Sequence, residues 1–191
     1  MMGVPFIPSR VLLGTDTFKY SSCKIVEDPY SGKRICLIPA CYPDVAMIHV
    51  HRSDIYGNSQ IDGILVDDFE LSRAARRLII TTEQIVDKAV IREKPWNTVI
   101  PFYLVDAVIE VPYGAHPCQM PLMYYSDEVH MGEWLTLSRT TEGLVHYLDQ
   151  YVYGVTSFSE YLRRVLDDEK RVYLQTVEQL KTPMKAPWRR S

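Results

Sequence analysis

Short, solidly apolar runs alternate along the chain with polar stretches punctuated by Gly and Pro, and the runs have the length of strands. Residues 23–27 and 35–39 read as two short strands around the turn-forming Asp28-Pro29-Tyr30-Ser31-Gly32. Val45 to Val50 is almost continuously apolar, the pattern of a parallel strand covered on both faces. Asp67 to Arg77 follows with helical composition, its apolar side carried by Phe69, Leu71, Ala74 and Ala75. Leu78 to Thr81 is the next strand, and Thr81 with Gln84 has capping-box spacing that predicts a short helix. Asp106 to Val111 is a further strand, closed by the turn formers Pro112-Tyr113-Gly114-Ala115-His116-Pro117. Strand and helix in alternation point to an α/β sheet rather than to separate layers.

The last third changes period. Val129 to Arg139 and Glu142 to Tyr153 are expected to be helical, with Gly154 as the stop. Ser157 and Glu160 form a second capping box. From Phe158 the residues Leu162, Val165, Leu166, Val172, Tyr173, Val177 and Leu180 then make one apolar stripe. That pattern predicts a single helix running to Lys181, before Pro183. The whole chain, 1–191, reads as one domain with 129–181 as its helical portion.

Composition narrows the function without naming it. Hydrophobic residues make up 47% of the chain and charged residues 24%, the balance of an ordinary globular protein. A net charge of −3 gives no electrostatic footprint for nucleic acid, and the Trp188-Arg189-Arg190 tail is too short to make one. No apolar run reaches membrane-spanning length, and no signal-peptide pattern opens the chain, so neither a membrane nor export is expected. Cys23, Cys36, Cys41 and Cys118 lack CxxC spacing and read as free thiols of a reducing, cytoplasmic compartment.

Candidate chemistry concentrates after the strand Val45–Val50. The Gly-punctuated loop that follows carries His51, Asp54, Gly57, Asn58, Gln60 and Asp62, more hydrogen-bonding capacity than a turn requires, where open α/β sheets hold ligands. His49 and His51 alternate as in a His-x-His metal site, but no third and fourth ligand converge with them. His49 is expected to be a hydrogen-bonded core residue. Arg10 has the planar fork that suits carboxylate or phosphate, or else pairs with an aspartate such as Asp16. His116 is either a base or hydrogen-bond donor, or a loop histidine that holds the backbone. Glu83 and Glu110 end strands, where a carboxylate is most often a surface or helix-start group, and neither is assigned as a nucleophile.

These residues resemble a known family. Gly3-Val4-Pro5-Phe6-Ile7-Pro8-Ser9-Arg10, Leu13-Gly14-Thr15-Asp16, Pro39-Ala40 and Pro43-Asp44-Val45-Ala46 occur in order. They are followed by His49, Asp54, Gly57-Asn58, Gln60 and Gly63, then Thr82-Glu83-Gln84-Ile85-Val86, Pro112 to Pro117, and Tyr147-Leu148 through Tyr161-Leu162. The ordered set is similar to the alpha-type subunit of class I coenzyme A transferases, closest to the alpha-type group of the glutaconate CoA-transferases.

The resemblance implies a three-layer α/β/α sheet of the CoA-transferase (NagB/RpiA-like) type and a partner of the beta type (the CoA-transferase B subunit). It also implies a reaction that moves CoA between an acyl-CoA and a free carboxylic acid. The nucleophilic glutamate would belong to that partner, and the reaction would pass through an acyl anhydride and a glutamyl-CoA thioester. CoA would enter as substrate, with no bound cofactor. Arg10, Asp54, Gly57, Asn58, Gln60 and His116 are the positions carried over as substrate- or CoA-binding, with no catalytic residue in this chain. The alternative reaction is that of a CoA-transferase-like hydrolase subunit opening a CoA-linked ring in steroid degradation, whose relatives use a glutamate just upstream of the Gly-Val-Pro-Phe motif, a position this sequence does not include. The Gly-rich βαβ region that opens the family's alpha-type chains is also absent, so an incomplete chain, inactive alone, is expected. The alternative outside catalysis is a remnant or interaction protein whose uncovered sheet edges favour association.

Overall fold

The computed structural model describes residues 3–184; the Trp188-Arg189-Arg190 tail lies outside the described residues. The chain opens with β1 (Phe6–Ser9), a one-turn helix α1 (Asp16–Lys19), β2 (Lys24–Glu27) and β3 (Arg34–Pro39). These strands form an antiparallel ribbon in the order β1-β3-β2. Pro8 is tolerated because β1 is an edge strand, where a missing N–H costs no internal ladder bond. The β2–β3 hairpin closes where Gly32 takes φ +66° and Asp28 N–H donates to the Lys33 carbonyl at 2.8 Å.

Next come β4 (Val45–Val50), the two-residue strands β5 (Arg52–Ser53) and β6 (Ser59–Gln60), α2 (Asp68–Ala74) and β7 (Arg77–Thr82). They are followed by α3 (Lys88–Glu93), β8 (Thr98–Ile100) and β9 (Ala107–Glu110). β4, β7 and β9 make a parallel sheet in that order, with Ile48 beside Ile80 and Ile80 beside Val108. β5, β6 and β8 make a small antiparallel sheet beyond the ends of the parallel strands. The main core is Ala46, Ile48, Val50, Leu78, Ile80 and Ile100. Each fully buried aliphatic side chain there contributes roughly 1.5–3 kcal/mol.

One face of the parallel sheet is buried throughout; the other is covered at its carboxyl end, where the 112–117 loop lies over His49, and open at its amino end among the described residues. β4 alternates buried Ala46, Ile48 and Val50 with Val45 and Met47, and Met47 is 68% exposed. By register Ile79 and Ile109 share that outer face, so the uniform apolarity of β4 does not reflect cover on both sides along its whole length within this chain.

The helix expected from Thr81 and Gln84 does not form. Thr82 stays in β7, and the chain beyond it is extended because Gln84 O accepts from Ser53 N (3.1 Å) and Val86 N donates to Ser53 O (2.9 Å). The helix starts later, at α3, where the Asp87 carboxylate accepts from Ala89 N at 2.8 Å. Cross-strand pairing outweighs the local cap signal here.

The C-terminal part holds α4 (Glu128–Leu137), α5 (Thr141–Leu148) with a π-turn over Asp149–Tyr153, α6 (Phe158–Val165) and α7 (Asp168–Glu178). The single helix expected over 158–181 is therefore two helices. Leu166 leaves helical geometry (φ −128°, ψ 94°) to bury its side chain, and Asp167 recaps the chain by accepting from Lys170 N at 2.7 Å. Met120, Tyr124, Val165, Leu166 and Leu174 form the second core that this break serves. α7 stops at Glu178 rather than Lys181, and Leu180 follows at φ +57°.

Candidate functional site at the ends of the parallel strands

The parallel sheet delivers His49 near the end of β4, and Thr81 and Glu83 at and just past the end of β7. His49 Nδ1 lies 2.9 Å from Thr81 Oγ1 and Nε2 lies 2.8 Å from Glu83 Oε1. Tyr113 N donates to Glu83 Oε2 at 2.7 Å, and the Tyr124 hydroxyl donates to Oε1 while accepting from Ala115 N. Tyr113 and Tyr124 stack with centroids 4.7 Å apart. The loop over this group carries Gly114 because a Cβ there would sit 2.6 Å from His49 Cε1.

The electrostatics are self-consistent. Burial alone would raise the Glu83 carboxyl, but hydrogen bonds from His49, Tyr124 and the Tyr113 backbone outweigh it and hold the group below its ordinary value. Burial first, and then the Glu83 carboxylate, push the Tyr124 phenol well above its usual range, so it remains a donor. Glu83 is thus an ionised, buried acceptor rather than a surface group. Only 3% of its side chain is exposed, both oxygens are engaged, and both ring nitrogens of His49 are used. As it stands the group clamps two strand ends to the 112–117 loop.

The polar loop after β4 spends its hydrogen-bonding capacity on itself. Asp54 is buried, and its carboxylate accepts from Tyr56 N (3.0 Å), Asn58 N (3.0 Å) and Asn58 Nδ2 (2.8 Å). Gly57 takes φ +103°, and a Cβ there would meet Val105 Cβ at 2.7 Å. Asn58 Oδ1 accepts from Phe102 N at 3.1 Å. Gln60 is buried, donating to the carbonyls of Ile91 and Lys94 at 2.9 Å and accepting from Arg52, which also grips Asp62. His51 Nδ1 accepts from Asp62 N and Nε2 meets Pro121 O at 2.7 Å, which fixes the neutral Nε2–H tautomer. His51 therefore has partners of its own, and the strand alternation that would aim it with His49 ends at Val50. What the loop shows outward is apolar: Ile55 and Tyr56 at its tip, with Phe102 and Tyr103 exposed on the segment that Asn58 holds.

His116 belongs to a different cluster. Its Nε2 lies 3.1 Å from Asp127 Oδ2 and its Nδ1 lies 2.8 Å from the Tyr161 hydroxyl. Lys170 Nζ reaches the same Asp127 oxygen at 2.5 Å, and His130 N donates to the other at 3.0 Å. Burial would raise Asp127, but His116, Lys170 and that backbone N–H hold it far below the carboxylate range. A cavity of about 290 Å³ lies on the helical side of this pair, lined by Asp127, Lys170 and Leu174 among others. Burial, and then the neighbouring His116, lower His130, whose Nε2 meets Tyr147 OH at 2.9 Å.

Arg10 directly follows β1 on the ribbon, exposed, and its side chain makes no ion pair or hydrogen bond among the described residues. After the Ser31 hydroxyl and the Tyr30 backbone N–H, its charge helps hold the Asp28 carboxyl below the ordinary value. Asp16, its possible partner, pairs instead with Lys19 at 2.6 Å. The six carried-over positions thus divide in three. Asp54, Gly57, Asn58 and Gln60 share one loop system, His116 joins the helical part, and Arg10 stands on the ribbon. Tyr124, Asp127 and Lys170 were not singled out by sequence reasoning, and Glu83 was read as a surface or helix-start group. Glu83 carried a usable signal, a carboxylate directly after a buried strand and 34 positions from its imidazole partner. Tyr124 carried none.

Residues 2–111 match the family described as Coenzyme A transferase. This chain belongs to the coenzyme A transferase family. The matched stretch contains all three sheets and the Asp54–Gln60 loop, whereas His116 and the four C-terminal helices lie beyond it. Among relatives, a protein of Archaeoglobus fulgidus is 61% identical over 98% of this chain and 42% of its own length. The A-type subunit of 3-oxoadipate CoA-transferase from Pseudomonas knackmussii is 32% identical over 86% of this chain and 58% of its own. Among solved structures, glutaconate coenzyme A-transferase from Acidaminococcus fermentans superimposes with a TM-score of 0.84 at 27% identity, covering 90% of this chain and 59% of that one. The α/β fold of the family is therefore the fold of this chain. The chain spans about half the length of the curated relatives it matches.

Proposed function

We propose that this chain acts as the A-type part of a heteromeric CoA-transferase in the cytoplasm, moving CoA between an acyl-CoA and a free carboxylic acid. The nucleophilic glutamate comes from a B-type partner. The observation that carries this reading is the superposition on glutaconate coenzyme A-transferase, which extends over 90% of the chain. The buried carboxylates agree with it. Glu83 and Asp127 are fully hydrogen-bonded, so neither is available to attack a thioester.

In this reading Asp54, Gly57, Asn58 and Gln60 shape a rigid wall, and Arg10 supplies the cationic fork for a substrate carboxylate or a CoA phosphate. His116 fixes the loop beside His49. The apolar tip of Ile55 and Tyr56, with Phe102 and Tyr103, faces the partner. Residues 129–181 are the helical portion of the same domain, tied to it where Tyr125 N donates to Leu174 O and Leu122 N to Glu178.

The test is co-expression with a candidate B-type partner, followed by an acyl-CoA/carboxylate exchange assay read by mass spectrometry. Exchange that requires both chains, with a borohydride-reducible CoA thioester trapped on the partner, supports the reading. CoA release that needs no acceptor makes the pair a hydrolase instead. Failure to bind or move CoA in any pairing overturns the assignment.

A further inference from the structure

The ribbon holds two thiols that nothing in CoA chemistry uses. β2 pairs with β3 so that Ile25 lies opposite Cys36 and Lys24 opposite Leu37. Cys23, the residue before β2, is two positions from Ile25. It therefore points to the same face as Cys36 and stands diagonally across the strand pair. Cys36 is wholly buried on the central strand, whereas Cys23 is partly open to solvent. The two thiols also feel each other: burial raises Cys36, and Cys23 adds to that as a hydrogen-bond partner and as a like charge.

We propose that Cys23 and Cys36 are a redox pair that closes into a reversible cross-strand disulfide when the chain meets a low-molecular-weight disulfide such as oxidised glutathione. Exposure sets the order of events. The Cys23 thiolate attacks the small disulfide, forming a mixed disulfide and releasing one glutathione thiolate. Cys36 then gives up its proton and attacks the Cys23 sulfur, releasing the second glutathione thiolate, which takes that proton up. Two protein thiols are oxidised by two electrons and one oxidised glutathione is reduced to two thiols. Burial shields Cys36 from direct attack, so it serves as the resolving thiol. Diagonal neighbours in a sheet lie about 7–8 Å apart, beyond the ~4.4–6.8 Å Cα span of a disulfide, so closure requires the backbone at Cys23, just outside the β2 ladder, to move onto β3. The other edge of β3 carries β1, with Ser9 opposite Cys36, which places the bond one strand from Arg10. In a reducing compartment such a pair is open at rest and closes under oxidation.

The full chain is treated with oxidised glutathione in a Cys41→Ser/Cys118→Ser background, which removes the two exposed thiols. Free thiols are then alkylated and the protein is mass-mapped. The expected result is loss of both titratable thiols, no retained glutathione, a linked Cys23–Cys36 peptide, and full recovery with dithiothreitol. Adding Cys36→Ser should leave one stable glutathione adduct on Cys23. A persistent adduct on Cys23 with Cys36 present, a disulfide-linked dimer, or two unreacted thiols would each overturn the proposal. The readout needs neither a partner nor CoA turnover, so it stands or falls separately from the assignment above.

Discussion

Replacing Glu83 by Ala removes the acceptor of three donors at once: His49 Nε2, the Tyr124 hydroxyl and Tyr113 N. A buried donor left without a partner costs about 1–3 kcal/mol. His49 is partly open to solvent and its other ring nitrogen keeps Thr81, so the sum falls near the low end, about 3–5 kcal/mol. For a domain of this size that lowers Tm by roughly 10–15 °C. Glu83→Gln keeps the shape and one acceptor oxygen, and should cost about 1–2 kcal/mol near neutral pH. The pH dependence separates the two roles of the carboxylate. Glu83 is depressed in the folded state, so its contribution is present above the unfolded value of about 4.3 and is lost as pH falls through the lower folded value. The gap between wild type and Glu83→Gln should therefore narrow on acidification. Urea unfolding of the three proteins at a series of pH values measures this. A loss below about 1 kcal/mol for Glu83→Ala, or a wild-type/Gln gap that does not change with pH, would show that Glu83 is not an ionised structural acceptor.

Gly57→Ala places a Cβ against Val105 at a left-handed φ and should destabilise by about 2–4 kcal/mol, read as a lower urea midpoint at unchanged slope. Gln60→Leu keeps the volume but strands the Ile91 and Lys94 carbonyls, for about 2–3 kcal/mol by the same measurement. Lys170→Met removes one partner of buried Asp127 while His116 remains, costing about 2–4 kcal/mol. An NMR titration of the variant should show the Asp127 carboxyl moved upward. Met47→Lys, on the open end of the outer sheet face, should change stability by less than about 0.5 kcal/mol and reduce self-association in sedimentation velocity.

Five of the nine strands are legible in the sequence, whereas β1, β5, β6 and β8, each two to four residues long, leave no readable pattern. Val45–Val50 was bounded to the residue, and the two ribbon strands and β7 to within a residue at each end, because each is a short apolar run between turn formers. Expectations failed where a distant backbone bond or a competing local cap decided the outcome. Thr81 and Gln84 offered a cap, yet Ser53 claimed the backbone around Gln84 from across the sheet. The stripe from Phe158 to Leu180 was continuous, yet Asp167 broke it, since an Asp-Asp-Glu run is as good a helix start as it is a helix interior. The site behaved in the same way. Polar residues could be found in the sequence, but whether their atoms face outward or close on one another depends on contacts such as Gln60 with Lys94 that no local pattern encodes.

That distinction governs how the loop after β4 contributes to chemistry. A buried carboxylate with three N–H donors, as Asp54 has, costs several kcal/mol to expose and cannot also solvate a ligand. The same holds for Glu83 and Asp127, so each buried carboxylate at the strand ends and the helical junction serves to make backbone rigid. Rigidity is itself a catalytic asset, because a misplacement on the order of 1 Å costs about a hundredfold in rate. Among the described residues, the surfaces left uncommitted include the Arg10 guanidinium on the ribbon, the apolar tip of Ile55 and Tyr56, and the outer sheet face around Met47. Under the proposed assignment, in which the reacting glutamate belongs to a partner, a cation suited to a carboxylate or phosphate and an apolar edge suited to a partner are what a positioning half requires. The polar density after β4 is thus the frame that holds the Ile55–Tyr56 tip and, through Asn58, the segment at Phe102 in place.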